Sequence, residues 1–464
     1  MDFRPLRARF VALFVGALAA AFAPALAFAQ QQQPAFNIIR DTEIEAIIRK
    51  DAEPIWRAAG LNPADVKLHL VGQNELQAFV SNGQQMFIYT GLIKETQNPN
   101  QLIGVIAHET GHMAGGHLAR SGDMNKAAMA PFLLTLGLGI LAAAAGAPDA
   151  AAALLSSSQY FGTLGALGYS RTQEAAADQA AITYLNRANI STRGLVDFFD
   201  NFRYEEVFSE ARRFPFFQSH PISSERIELL RRRAEEQKSY NEKDSPEALR
   251  DHEIMKAKLF GFMEPPAQTF IKYKEDDKSF PARYARAIAY YRGTEPERAL
   301  KAIDALLTEQ PQNPYLWELK GQVLFESGRA KEAEAPHRKS VELAPNAPLL
   351  RVNLAQAILA QDDPKRSDEV VAELQKSLAL ESDNALAWRM MAQAYDAKGQ
   401  PGQARLAAAE ESFFNGDMTR ARIFALRARE MLTKDTPEWR RATDIVLVAN
   451  PSQDELKSMS QGRG

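Results

Sequence analysis

Apolar and polar positions follow three different rhythms along this chain. Phe10 to Leu26 is an unbroken apolar stretch behind Arg4, Arg7 and Arg9. From Asp41, the residues Ile44, Ile47, Ile48 and Ile55 recur among charges at helical spacing. That spacing predicts an amphipathic helix with Asp41 or Thr42 as its N-cap. Short alternating runs follow at Val66–Val71, Leu76–Val80 and Gln85–Tyr89, and their period of two predicts strands. Asn82-Gly83, between the last two runs, tolerates positive φ at both positions and predicts a tight hairpin. A small antiparallel sheet is therefore expected ahead of a helix that starts near Pro99, with Leu102, Ile103, Val105, Ile106 and Met113 apolar. Residues Ala127–Ala147 are almost wholly apolar and long enough to span a bilayer, and a weaker apolar run covers Ala150–Tyr169. Helical patterning resumes at Thr172, again around Arg193–Glu210, and in a highly charged segment through Glu225–Lys238.

The third rhythm is a repeat. Pro311-Gln-Asn-Pro-Tyr-Leu-Trp317 returns 34 residues later as Pro345-Asn-Ala-Pro-Leu-Leu-Arg351, and 37 residues after that as Ser382-Asp-Asn-Ala-Leu-Ala-Trp388. The three extra residues are expected in the polar turn Gln361–Asp368. Turns at Gly293-Thr294, Ser327-Gly328, Asp362-Asp363, Lys398-Gly399 and Asn415-Gly416 separate the predicted helices. Helix pairs at this period resemble tetratricopeptide repeats. Each pair exposes an apolar face that only a stacked neighbour buries, so four or five units are expected to form one curved solenoid.

Composition narrows the chemistry. At 464 residues the chain exceeds one ordinary core, so two or three domains are expected. A formal net charge of -3 gives no bulk electrostatic reason to bind nucleic acid. The chain has no cysteine, which excludes cysteine proteases, thiolate metal sites and disulfide scaffolds together. The basic N-terminus, the apolar stretch and the small-x-small pattern Ala27-Phe28-Ala29 have the form of a secretory signal peptide at 1–29. Export to the periplasm is the expectation, by cleavage rather than by an uncleaved anchor.

The chemistry is carried by His108-Glu109-Thr110-Gly111-His112, an H-E-x-x-H motif in a helical context. Spacing of four stacks both imidazoles on one helix face, the bite that two of zinc's four positions need. Glu109 projects beside them, placed to take a proton from the attacking water. The competing reading is a surface helix with two unrelated histidines. A metzincin would carry a third histidine at 118, where this chain has Leu118. His117 falls off the ligand face of a continuous helix and is read as a supporting or core histidine. Downstream, Glu174 and Asp178 stand at i and i+4 around three alanines, on a face with little bulk. Glu174 as third ligand and Asp178 as acceptor for a ligand histidine would complete a metal site; an ordinary solvated acidic face is the alternative. His69, His252 and His337 are read as structural or solvated.

H-E-x-x-H followed by E-x-x-x-D, then His220-Pro221 and Arg226-Ile227, resembles the M48 family of zinc metallopeptidases. A signal peptide ahead and tetratricopeptide repeats behind are similar to the β-barrel assembly-enhancing protease group of that family. The resemblance covers about Ile38 to Leu432. It implies one Zn2+ per chain on His108, His112 and Glu174, with Glu109 catalytic and Asp178 supporting. It also implies that His220 faces the zinc, as a reversible fourth ligand or as a hydrogen-bond donor to the transition state. Relatives commonly carry Asn-Ala-Phe-Ala on the strand before the hairpin, where this chain has Gln77-Ala78-Phe79-Val80. That departure bears on subsite preference, since strand addition itself needs only free backbone groups.

The expected architecture is a signal peptide (1–29), an α+β zincin-type domain at 37–240 that is mostly helical with a small sheet, and a connecting segment at 241–279. An all-α repeat solenoid at 280–436 and a disordered tail at 451–464 complete it. A single membrane crossing at Ala127–Ala147 would place His112 and Glu174 on opposite sides of a bilayer, so that run is expected to border the cleft or touch a membrane face. The function expected is an envelope endopeptidase acting on unfolded or misassembled proteins. Its repeats would recruit clients or assembly machinery, with outer-membrane assembly machinery a candidate partner. A chaperone or scaffold with a latent peptidase site is the alternative.

Overall fold

The computed structural model describes residues 37–81, 84–117, 129, 131–136, 138, 170–202, 220 and 223–449. The signal-peptide segment, nearly all of the apolar run 127–169, and the tail 451–464 lie outside the described residues. Among the described residues, no helix is long and apolar enough to cross a membrane.

The N-terminal unit opens with β1 (Ile38–Ile39) and α1 (Thr42–Ala58). Asp41 is the N-cap of α1, accepting from the Ile44 amide at 2.9 Å, and Ile44, Ile48, Ile55 and Trp56 form its buried stripe. Strands β2 (Lys67–Val71), β3 (Ala78–Ser81) and β4 (Gln85–Tyr89) then build a four-stranded sheet in the order β1-β2-β4-β3. The predicted hairpin forms: β3 and β4 pair antiparallel from Ser81↔Gln85 to Ala78↔Ile88. Its loop is one residue longer than the two-residue turn expected, with Gln84 at φ 58, while Asn82 and Gly83 lie outside the described residues. The sheet is mixed rather than wholly antiparallel. β4 slots between β2 and β3, so β2 pairs it in parallel, with His69 opposite Phe87. Alternation specifies which side chains face the core, here Ala78, Val80, Met86 and Ile88. It does not specify which neighbour a strand pairs with.

α2 (Thr90–Glu95) leads into α3 (Pro99–Ala114), capped by Asn98 accepting from the Gln101 amide at 3.0 Å, with Pro99 in the first turn. Residues 170–187 form α4, followed by α5 (Arg193–Phe202) and α6 (Ser224–Glu235). The core under the sheet takes Leu102, Ile106, Leu185, Phe198, Phe199 and Leu230 from these helices.

The segment 241–279 is itself helical, with α7 (Pro246–Met263) and α8 (Pro266–Lys272). Met255 and Leu259 of α7 belong to the N-terminal core, whereas Ile254 packs with Tyr284, Ile288 and Ile303 of the repeats. Ten helices follow as five pairs, from α9 (Phe280–Arg292) to α18 (Pro437–Val448). Each predicted turn holds a residue in the left-handed region: Thr294, Gly328, Asp362, Gly399 and Gly416. The three extra residues appear as a 3-10 turn, Pro364–Arg366, inside the stretch expected to absorb them. The repeated heptapeptide has a bonding reason. Trp317 Nε1 donates to Pro311 O at 2.9 Å, Arg351 Nε to Pro345 O at 3.0 Å, and Trp388 Nε1 to Ser382 O at 2.8 Å. In each repeat the seventh residue ties the helix back to the turn that starts it.

Candidate metal centre

α3 carries His108, Glu109 and His112 with their side chains buried. α4 crosses it closely because Gly111 has no side chain: a Cβ there would sit 2.8 Å from Ala177 O and 3.0 Å from Ala177 Cα. The small-residue face around Glu174 meets the glycine face of α3, so Glu174 and Asp178 arrive beside the two histidines, both buried.

The atoms converge. His112 Nε2 lies 3.1 Å from His108 Nε2. Glu174 Oε2 is 3.4 Å from His108 Nε2, and Glu174 Oε1 is 3.3 Å from His112 Nε2. His220, 46 residues beyond Glu174, puts Nδ1 3.2 Å from each carboxylate oxygen and 3.3 Å from His108 Nε2. One donor atom from each of His108, His112, Glu174 and His220 lies within 4.8 Å of the other three. Behind this group, His108 Nδ1 stands 3.0 Å from Asp178 Oδ1. Arg226 then closes the cluster, with Nε 2.7 Å from Asp178 Oδ2 and Nη2 3.0 Å from Glu174 Oε2.

Electrostatics test whether a cation fits. Glu109, Glu174 and Asp178 face one guanidinium, Arg226, so the ionised cluster is two formal charges short of neutrality, and a divalent cation supplies both. The His108 shift has the sense that missing positive charge predicts. Burial alone would lower the His108 imidazole, yet Asp178 and Glu174 outweigh it and hold it at about 9, drawing a proton where positive charge is lacking. Burial would raise Glu174, but bonds from His108, His112 and His220 hold it well below the carboxylate range. Burial likewise opposes the guanidinium of Arg226 and then His108 at Asp178, which settles at about 2. His112 and His220 are lowered by burial, which keeps their lone pairs free. Glu109 differs: burial pushes it up to about 7, against the pull of His108 and His112. Its Oε1 is buried with no hydrogen-bond partner among the described residues, and His220 Nε2 comes only to 3.4 Å. Two imidazoles, a carboxylate and a further histidine are the donor set of a borderline divalent metal. The residues present therefore fit one.

All six residues singled out in the sequence come together here. Three of the other four histidines stand elsewhere: His69 stacks on Phe87 at 4.6 Å, His252 Nε2 contacts Thr96 O at 3.1 Å, and His337 is buried under Gly321 in the repeats. Sequence reasoning gave no role to Arg226, which appeared only as part of an Arg-Ile pattern. It read His117 as a supporting or core histidine without naming its partner, and His117 Nδ1 lies 2.9 Å from His112 Nδ1, the nitrogen turned away from the cluster.

Comparison with known proteins agrees with this geometry. The profile described as "Peptidase family M48" matches residues 39–234, and one described as "Tetratricopeptide repeat" matches 284–348. The beta-barrel assembly-enhancing protease of Escherichia coli (strain K12) is 24% identical over 359 residues, covering 76% of this chain and 72% of that protein. The protein of the same name from Yersinia pestis is 23% identical over 364 residues, covering 76% and 72%. The metalloprotease YcaL of Escherichia coli (strain K12) is 30% identical over 187 residues, 39% of this chain and 67% of that protein. The chain is thus a metalloendopeptidase with a cluster on α3 and α4 that could hold its metal, and it belongs to peptidase family M48.

Proposed function

We propose that this protein is a zinc-dependent endopeptidase of the cell envelope that cleaves unfolded or misassembled proteins, with His108, His112 and Glu174 as metal ligands. The observation that carries the reading is the buried Glu109 carboxylate oxygen, without a hydrogen-bond partner among the described residues, beside the converging donors of His108, His112 and Glu174. Bound zinc would polarise the scissile carbonyl and make the attacking water more acidic. Glu109, which burial holds above the ordinary carboxylate range, would take that water's proton and return it to the leaving amine. Asp178 would orient His108, and Arg226 would hold Asp178 and Glu174 in place. Among the described residues β3 is the outer strand of the sheet and packs against α3, so an extended substrate adding at that edge would run past the site. Periplasmic export follows from the form of the N-terminal 29 residues. The repeats would recruit clients or assembly machinery; the names of the Escherichia coli and Yersinia pestis relatives make a β-barrel assembly machine the partner to test first.

One observation favours a second reading, a repeat scaffold whose peptidase is held latent. His220 already lies within hydrogen-bonding distance of Glu174 and His108, where a fourth ligand would sit. Both readings make the same first test decisive. Purified protein should carry about one zinc per chain, and Glu109→Gln should keep the metal while losing turnover of unfolded casein by at least ~10²-fold. Cleavage by Glu109→Gln at the wild-type rate would remove Glu109 from the mechanism. Stoichiometric zinc in Glu174→Ala would move the third ligand elsewhere.

A further inference from the structure

The two proposed ligand histidines have different groups behind them. Behind His108 stands a carboxylate, Asp178, at 3.0 Å from Nδ1. Behind His112 stands another imidazole: His117 Nδ1 is 2.9 Å from His112 Nδ1, the rings edge-on at 80° with centroids 5.0 Å apart. His112 turns Nε2 toward His108 and Glu174. A ring that offers Nε2 as a lone pair must carry its proton on Nδ1, so the 2.9 Å contact is His112 Nδ1–H donating to His117 Nδ1.

The chain is built to bring His117 there. α3 does not continue through it. Gly115 N donates to Gly111 O at 2.9 Å, Gly116 N to Met113 O at 3.2 Å and His117 N to His112 O at 3.2 Å, the bonding of a Schellman turn. Gly116, at φ +62, supplies the left-handed step that folds the chain back over the helix end. Gly115 serves a separate purpose. Its backbone, at φ -71 and ψ -12, suits any residue, yet a Cβ there would come within 2.6 Å of His117 Nε2 and 3.0 Å of its Cδ2. The missing side chain at 115 is the space that the His117 ring occupies.

We propose that His117 is a positioning residue for the metal: it accepts the Nδ1 proton of His112, fixing the tautomer and ring angle that direct Nε2 at the ion. The proposal rests on the reading of His112 as a ligand. An acceptor behind a ligand histidine raises its donor strength and orients it, and loss of such a partner typically weakens metal binding by about 10–100-fold.

The test is zinc affinity of the full chain, stripped of metal and titrated with zinc against a chromophoric chelator. The melting midpoint of each metal-free variant is measured alongside. His117→Ala should weaken zinc binding by about 10–100-fold with the metal-free midpoint little changed. His117→Asn sets an amide oxygen where Nδ1 stands and should recover most of the affinity. Gly115→Ala keeps His117 but displaces its ring, so it should behave like His117→Ala. Affinity of His117→Ala within about two-fold of wild type, while His112→Ala loses zinc, overturns the proposal and leaves the metal site standing. Weakened binding with an equally lowered metal-free midpoint and no recovery in His117→Asn overturns it too, in favour of a packing role. Stoichiometric zinc retained by His112→Ala, or none bound by wild type, overturns the ligand reading itself.

Discussion

His220 Nδ1 lies 3.2 Å from both oxygens of Glu174 and its Nε2 3.4 Å from Glu109 Oε1, so one ring touches a proposed ligand and the proposed base together. The proline that follows it disfavours helical backbone at 220, and the structure places the residue in a bend three positions before the Ser223 cap of α6. From there two roles are open, and they differ in the sign of one effect. If His220 occupies the fourth position in the resting enzyme, His220→Ala should raise basal cleavage of unfolded casein. If it donates to the developing oxyanion, the same change should lower turnover by roughly 10²–10³-fold with zinc retained. An unchanged rate would take His220 out of the chemistry. At this scale the sequence was informative where chemistry depends on spacing within one helix: His108, Glu109 and His112, then Glu174 and Asp178. It was less specific where chemistry depends on where a helix ends, reading His117 as supporting or core without a partner. His117 looks misplaced on an unbroken helix, and only the turn at Gly115-Gly116 brings it to His112. Arg226 pairs with Asp178 across 48 residues, a contact that no local pattern encodes.

Between elements, the centre depends on how closely α3 and α4 approach, and that distance is written in small residues. Two effects oppose each other at Gly111. Replacing a mid-helix glycine by alanine favours the helix by up to ~1 kcal/mol. The new Cβ, however, meets backbone atoms of Ala177 at 2.8 and 3.0 Å, which cannot rotate away as a side chain would. Overpacking of this kind typically costs about 1–3 kcal/mol, so the steric effect should win. Gly111→Ala is therefore expected to lower the metal-free melting midpoint. It should also weaken zinc binding at least ~10-fold, by carrying Glu174 away from the histidines. Zinc affinity and midpoint at wild-type values would show that the helices have slack. The alanines around Glu174 made this packing legible before the structure, because a helix face without bulk has few other uses. The sheet was legible only in part. The period of two located every long strand, yet β4's insertion between β2 and β3 left no mark in it, since parallel and antiparallel strands alternate alike.

Across the whole molecule, α7 joins the two units rather than merely linking them. Lys258, almost fully buried, reaches Asp41 Oδ1 at 2.9 Å and Glu43 Oε2 at 3.1 Å, and Tyr284 of the first repeat donates to Glu43 at 2.8 Å. Further out, Arg40 pairs with Glu381, and Lys67 of β2 with Asp383, so the solenoid grips the start of the N-terminal unit and the end of its sheet away from β3. Glu318 completes the inner group, accepting from Asn353 at 3.0 Å and Thr42 at 3.3 Å within a groove of about 600 Å³. Three carboxylates thus face one ammonium, with Tyr284 and Tyr315 closing the sides. Burial is the larger influence on Glu318 and raises it to about 7; Lys258 pulls it down, while Asp41 and Glu43 push it further up. An unfolded glutamate titrates near ~4.3, so between there and about 7 the folded state keeps a proton that the unfolded state releases. Stability from that proton is complete below the unfolded value and is lost as pH rises through about 7. Glu318→Gln cannot ionise, and its amide preserves the shape of the site. The melting midpoint of that variant, measured against wild type from pH 5 to pH 8, should gain as pH rises to about 7 and level off beyond, because only wild type has the Glu318 proton to lose. Titrating groups remote from this junction are common to both proteins and drop out of the difference. Parallel curves across the window would mean that Glu318 ionises normally at this junction.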